Sequence, residues 1–156
     1  MKRYYIAYGS NLNIRQMRIR CPHARVIGTA VIHDYELLFK GSHTGAYLTI
    51  EQKEGSEVPV AVWEVTESDE VALDRYEGYP VFYYKKEIEL DIRGIRTGKI
   101  RRRKCFVYIM HEERKIGVPS LSYVSTCLQG YISFGFDEHY LSEAQIKAVE
   151  VAGHEE

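Results

Sequence analysis

Glu77 is the residue of this chain best placed to move a proton. It stands where a short helical pattern gives way to Gly78-Tyr79-Pro80, and Tyr76, Tyr79, Phe82, Tyr83 and Tyr84 surround it in sequence. Aromatic neighbours keep water from a carboxylate, and partial burial raises its pKa towards neutrality. A carboxyl group that titrates near neutral pH can take a proton in one step and return it in the next. The competing reading is a solvent-facing glutamate at a helix C-terminus, which composition alone favours. A negative charge there opposes the helix dipole, however, and that penalty favours a functional reason.

The second candidate is Tyr8-Gly9-Ser10-Asn11-Leu12, which closes an apolar strand and opens a helix-like segment almost at once. Gly9 permits a turn that a Cβ would oppose. Ser10 or Asn11 can cap the helix that follows, and free N–H groups at a helix N-terminus attract a carboxylate or phosphate. A strand, a tight turn and a capped helix need the same residue types for purely structural reasons. Ser10 fails as a nucleophile, because no G-x-S-x-G elbow surrounds it and the sequence places no His with an Asp partner beside it.

Cys21, Cys105 and Cys127 are odd in number and show neither C-x-x-C spacing nor a histidine at metal-ligand spacing. They read as reduced thiols of a cytoplasmic protein, with Cys127 a small core filler. The six histidines are scattered singly, so no metal is expected. The basic stretch 93–104 contains Arg93, Arg96, Lys99, Arg101, Arg102, Arg103 and Lys104. It is the only hint of nucleic acid, and a solvated hairpin tip protected by charge is the preferred reading. Thirteen tyrosines are many for this length. Most are expected to be core or barrel-lining residues, and a few could line a polar pocket.

The elements that must position these residues follow from pattern. Short β-like runs cover 3–8, 25–39 with a break near His33-Asp34, 46–52 and 59–65. Thr66-Glu67-Ser68-Asp69 supplies a capping box for a helix through Val71, Ala72, Leu73 and Tyr76, stopped by Gly78 and Pro80. Ile88, Leu90 and Ile92 alternate with Glu87, Glu89 and Asp91 as in a half-buried strand. A hairpin then leads to the buried strand 105–110. Pro119-Ser120 starts a helix with Leu121, Val124, Leu128, Tyr131 and Ile132 as its apolar stripe. A last helix is expected from a capping box at Ser142-Glu143-Ala144-Gln145, with Ile146 and Val149 inward and residues 153–156 frayed. Strands before and around a few helices, without βα alternation, indicate an α+β fold.

At 156 residues the chain is sized for one domain, 1–156, that buries about two thirds of its unfolded surface. Its 45% hydrophobic and 28% charged residues are those of a globular protein. A net charge of −1 gives no global attraction to nucleic acid or membrane. The apolar N-terminal stretch is too short for a signal sequence, and no other stretch approaches transmembrane length.

Taken together, Tyr8-Gly9-Ser10-Asn11-Leu12, Leu73-Asp74-Arg75-Tyr76-Glu77-Gly78 and Pro119-Ser120-Leu121-Ser122-Tyr123 resemble the γ-glutamylcyclotransferase family, including its AIG2-like branch. The segments 82–84, 107–110 and 127–130 also fall where that family places similar residues. The resemblance implies a small mixed β-barrel with flanking helices, and an enzyme cleaving γ-glutamyl amides by intramolecular attack. Such a reaction releases 5-oxoproline and a free amine or amino acid. Glu77 matches the family's catalytic glutamate. The loop of Tyr8, Gly9, Ser10, Asn11 and Leu12 would grip the glutamyl end of the substrate through backbone N–H groups. Tyr83 aligns with a pocket tyrosine if Ile88, Leu90 and Ile92 set the strand register, and Tyr84 is the one-residue alternative. Tyr123 would bond the substrate's carboxylate or carbonyl. No cofactor is implied, because the nucleophile belongs to the substrate.

The partner implied is a small γ-glutamyl substrate, with neither nucleic acid nor membrane, and a homodimer is one option for the assembly. Two alternatives accompany this reading: a cyclotransferase for γ-glutamylamines or γ-glutamyl protecting groups, and a catalytically silent small-ligand or partner-binding domain. The identity of the leaving amine and the role of 93–104 are not legible in the sequence.

Overall fold

The computed structural model describes residues 2–42 and 45–154. Among these, five strands form a closed barrel: β1 (Arg3–Ala7), β2 (Arg25–Ser42), β3 (Gly45–Val65), β4 (Tyr83–Gly94) and β5 (Ile100–Met110). They run in the order β1-β3-β2-β4-β5, with antiparallel neighbours except where β5 meets β1 in parallel at Tyr5 and Phe106. Four α-helices flank the barrel: α1 (Ile14–Arg20), α2 (Glu67–Glu77), α3 (Leu121–Phe134) and α4 (His139–His154). This is the α+β mixed barrel expected, and closure pairs strand edges that would otherwise template association.

The runs 46–52 and 59–65 prove to be one strand, β3, because β2 opposite it is equally continuous. Their pairing extends from Ser42 with Gly45 to Arg25 with Glu64. The polar residues between the two runs are absorbed by a register shift at His33/Tyr35. There Asp34 adopts φ 64°, Gly55 adopts φ 84°, and the Gly55 amide donates to Asp34 Oδ1 at 3.0 Å.

Helix α2 forms as its capping box predicts. Thr66 Oγ1 accepts from the Asp69 amide and Asp69 Oδ2 accepts from the Thr66 amide. At the other end Gly78 takes the left-handed conformation (φ 62°), and its amide bonds to the Asp74 and Arg75 carbonyls. Lys85 of β4 ties the helix to the barrel through Glu70 (2.6 Å) and Asp74 (2.8 Å), and Tyr108 of β5 donates to Asp74 at 2.6 Å.

Other local expectations are corrected. Neither Ser10 nor Asn11 caps α1; Ser10–Leu12 forms one turn of 3-10 helix, and Asn13 is the cap, accepting from the Gln16 amide at 3.1 Å. In α3, capped by Ser120, the outer stripe positions Leu121 and Ile132 are exposed, and the buried face is Cys127, Gly130 and Tyr131. Helix α4 starts at His139, three residues before the presumed cap Ser142. It buries Leu141, Ala144 and Ala148 while Ile146 and Val149 face solvent. The choice of larger side chains as inward markers misled here, because a helix lying close on a barrel needs small ones at the contact. Gly153 and His154 belong to α4, and Glu155 and Glu156 lie outside the described residues.

Candidate active site

The end of α2, the 3-10 turn, the start of α3 and the neighbouring ends of β3 and β4 surround a pocket of about 350 Å³. Ser10 comes from the turn, Tyr47 from β3, and Arg75, Tyr76, Glu77 and Gly78 from the end of α2. Phe82 and Tyr83 lead into β4, and Tyr123 descends from α3. Of the residues singled out in the sequence, Glu77, Ser10, Tyr83 and Tyr123 therefore share one cavity.

Glu77 occupies the only acidic position in this lining. Burial pushes its carboxyl up to about 8, against the opposing pull of the Arg20 guanidinium. The cause is the one inferred from the aromatic neighbours, although the neighbours differ in detail. Tyr76, Phe82 and Tyr83 line the cavity, whereas Tyr79 turns under the Lys85 ammonium (4.5 Å from its ring centroid) and Tyr84 donates to Glu112 at 2.8 Å.

The tyrosine hydroxyls have distinct capacities. Tyr83 donates to the Leu48 carbonyl at 2.8 Å, so its proton is already committed. Tyr123 accepts from the Leu48 amide at 3.1 Å, and the Cys127 thiol stands within hydrogen-bonding reach of its hydroxyl. Ser10 Oγ and Tyr76 Oη lie 2.7 Å apart, so this pair holds one donor in reserve. Burial drives the Tyr83 and Tyr123 pKa values well above 10, which keeps both phenols neutral.

The remaining loop residues stand behind the cavity. A Cβ on Gly9 would lie 3.3 Å from Leu48 and 3.4 Å from the Tyr123 hydroxyl, so glycine allows the loop to approach both closely. The loop amides of Leu12 and Asn13 are spent inside the 3-10 turn on the carbonyls of Gly9 and Ser10. Tyr8 is buried and donates to the Tyr108 carbonyl at 2.7 Å, close enough for the Glu77 charge to raise its pKa. Asn11 donates to Tyr5 Oη at 2.8 Å and accepts from Arg20. Leu12 is core.

Tyr83 rather than Tyr84 is thus the cavity tyrosine. The β4–β5 register runs without a shift, so odd-numbered Tyr83 falls on the face opposite even-numbered Ile88, Leu90 and Ile92.

Sequence reasoning missed Arg20, Arg75 and Tyr47, and named Tyr76 and Phe82 only as neighbours of Glu77. The Arg20 guanidinium lies 3.4 Å from the Tyr76 ring centroid and holds Asn11, so it braces the wall beside Glu77. Nothing in its local sequence marks it, since the contact is made across two helices. The basic stretch 93–104 forms the β4–β5 hairpin tip, where Arg102 pairs with Glu89 and Asp91 at 3.2 Å, well away from this cavity.

Among the described residues no helix is long and apolar enough to cross a membrane. A family model described as "Gamma-glutamyl cyclotransferase, AIG2-like" matches residues 5–125. The Homo sapiens gamma-glutamylcyclotransferase is 29% identical over 153 residues, covering 94% of this chain and 78% of that protein. The Bos taurus gamma-glutamylcyclotransferase is 37% identical over 81 residues, covering 47% of this chain and 43% of its own length. A solved gamma-glutamyl cyclotransferase structure superposes with a TM-score of 0.78 at 27% identity, covering 93% of this chain and 87% of the other. Family match, relatives and barrel agree: this chain is an enzyme of the γ-glutamylcyclotransferase family, AIG2-like.

Proposed function

We propose that this enzyme cleaves γ-glutamyl amides to 5-oxoproline and a free amine, with Glu77 carrying the proton between the two steps, and that it works in the cytoplasm. The observation that supports this most is the single carboxyl, raised to about 8 by its partial burial, in a cavity whose wall is otherwise hydroxyls, aromatic rings, Gly78 and Arg75.

The substrate's α-amine arrives as an ammonium ion and must lose a proton before it can attack. Glu77 takes that proton. The amine nitrogen then bonds to the γ-carbonyl carbon, the carbonyl π electrons move to oxygen, and a five-membered tetrahedral intermediate forms. On its collapse Glu77 returns the proton to the leaving nitrogen, the bond to that nitrogen breaks, and the ring nitrogen passes its second proton to the released amine, which departs as an ammonium ion and leaves the neutral lactam. A carboxyl that titrates near neutrality serves both transfers, and such proton relay contributes about 10²–10⁴-fold.

The developing oxyanion needs donors, and the Tyr123 O–H and the loop amides at Gly9, Ser10 and Asn11 are the neutral donors nearest the cavity. Each such donor is worth on the order of 3 kcal/mol in the transition state. The loop amides also suit the α-carboxylate at the glutamyl end, and Tyr83 fixes the Leu48 strand against which Tyr123 and Gly9 rest.

Incubation with several γ-glutamyl amides, following 5-oxoproline release, tests this. Glu77→Gln preserves shape and removes the base, so kcat is expected to fall by about 10²-fold or more. A variant as fast as the parent would exclude Glu77 as the proton carrier.

A further inference from the structure

Strand β3 runs from Tyr47 at the cavity to Trp63 and Glu64, and β4 runs from Tyr83 to Gly94, so the far ends of the same two strands frame a second concavity of about 750 Å³. The β4–β5 hairpin tip, the start of β2, α1 and the end of α3 complete its walls. Six cations line it: Arg18, Arg25, Arg96, Lys99, Arg101 and Arg103. The single carboxylate of the lining, Glu64, is already shared by Lys2 at 3.1 Å and Arg25 at 3.0 Å. Among the described residues Arg18, Arg96, Lys99 and Arg101 pair with no carboxylate. Strand alternation divides the basic stretch 93–104, since Arg102, between Arg101 and Arg103, is neutralised on the other face by Glu89 and Asp91 at 3.2 Å. A second observation is independent of charge. Trp63, the one tryptophan of the chain, lines this concavity at 3% exposure, and its indole Nε1 has no hydrogen-bond partner. A buried N–H without an acceptor is unfavourable until one is supplied.

From this arrangement we infer that the far end of the barrel is a binding site for an organic polyphosphate, a small molecule that joins several phosphate charges to an aromatic or apolar body, as a nucleoside triphosphate does. The inference does not depend on the chemistry at Glu77. Guanidinium and ammonium groups hold phosphate oxygens through charge-assisted hydrogen bonds. Four uncompensated cations around one concavity suit a ligand with several charges better than a single carboxylate. Tyr4 and Phe134, both half-buried, and the exposed Ile95 give the same walls an apolar surface for the body of the ligand. The concavity is also of small-molecule size, such sites enclosing about 300–1,000 Å³. A long polyanion fits less well. The exposed Glu87, Glu89 and Asp91 of β4 lie outside this lining, and the chain carries a net charge of −1, so the positive potential is confined to the concavity. A nucleic acid strand or an anionic lipid surface laid across the hairpin would meet those carboxylates.

Trp63 reports on the site, because it is the only tryptophan to excite. Titration of the intact chain with ATP is expected to change its emission saturably, with a Kd of about 100 μM or below that calorimetry reproduces. Inorganic tripolyphosphate, which offers the charges without the body, should bind about tenfold more weakly. The pair Arg96→Gln and Arg101→Gln, made together, should weaken ATP binding by about tenfold or more, with Arg18→Gln acting in the same direction. Lys104→Gln, on the opposite face of β5 from Arg101, should leave binding within about twofold of the parent. All four side chains are exposed, so the variants retain the fold, and their Tm values check this. No saturable response at millimolar ATP would overturn the site. Binding untouched by the Arg96 and Arg101 changes would also overturn it, by sending the nucleotide elsewhere. Equal affinity for ATP and tripolyphosphate would exclude an organic ligand. Tighter binding of a uridine oligonucleotide or of phosphatidylserine vesicles than of ATP would assign the surface to a macromolecule and overturn the small-molecule site.

Discussion

Glu77 carries a cost that can be measured apart from activity. An ordinary carboxyl titrates near 4.5, whereas burial lifts this one to about 8. Between those values the folded protein holds a proton that the unfolded chain has released, so stability falls as pH rises through this window. The Glu77 contribution is absent below about pH 4.5 and fully unfavourable above about pH 8. Glu77→Gln removes it, so thermal melts should show the variant higher in Tm by about 5 °C at pH 8.5 and equal to the parent at pH 4. The same titration governs turnover. Free enzyme must ionise Glu77, and free substrate must keep its α-ammonium, so kcat/KM should form a bell centred near pH 8. The residual rate of Glu77→Gln should lack the bell and rise steadily with pH, because only substrate with an already neutral amine can then react. A bell retained in that variant would assign the ascending limb to another group.

The elements that carry the site differ in how openly the sequence declares them. Helix α2 is written in local chemistry: Thr66 and Asp69 close a reciprocal cap, and Gly78 ends the helix in a conformation that side chains resist. The position of Glu77 was therefore readable to the residue. Thr66→Ala should cost about 1 kcal/mol in denaturant unfolding while leaving kcat nearly unchanged, because it loosens the end of α2 remote from Glu77. Gly78→Ala should do the reverse damage. Its φ of 62° strains any side chain, and a Cβ would sit 3.2 Å from that of Phe82, displacing the aromatic wall beside Glu77. A raised KM alongside lowered stability is the expected signature. Helix α4, in contrast, was misread at both its start and its inward face. Two of its three buried positions, Ala144 and Ala148, are small, and Ile146 and Val149 outweigh them in any hydrophobicity count. The inward face is decided by the closeness of β2, which no local pattern records.

At the scale of the molecule, the site exists only because the barrel closes and brings residues 10, 47, 75–78, 82, 83 and 123 to one cavity. Periodicity could not have grouped them. The three motifs taken in register did group Ser10, Glu77 and Tyr123, because their order reflects a whole fold rather than a local one. Arg20 and Tyr47 escaped, since each reaches the wall of the cavity across elements that meet only in three dimensions. The junction that makes this assembly rigid is the contact between the first loop and α3. Gly130 is buried against Leu12 so closely that a Cβ there would lie 2.5 Å from the Leu12 backbone carbon and 2.8 Å from the Asn13 amide nitrogen. Asn13 adds a hydrogen bond to Gln129 at 3.0 Å across the same seam. Gly130→Ala must therefore drive α3 and the 3-10 turn apart, and those two elements carry Tyr123 and Ser10. Overpacking of this kind costs about 1–3 kcal/mol, and here the displacement is aimed at the oxyanion donors. The expected result is a lower Tm together with a fall in kcat of about tenfold or more, measured at a temperature where the variant is still folded. Gly153→Ala supplies the control, since nothing lies within 4 Å of a Cβ at that position of α4 and alanine favours the helix. It should equal or exceed the parent in Tm and match it in rate. If Gly130→Ala lost stability but kept full kcat, the first loop and α3 would not be coupled in the reaction, and the oxyanion role given to their donors would fall.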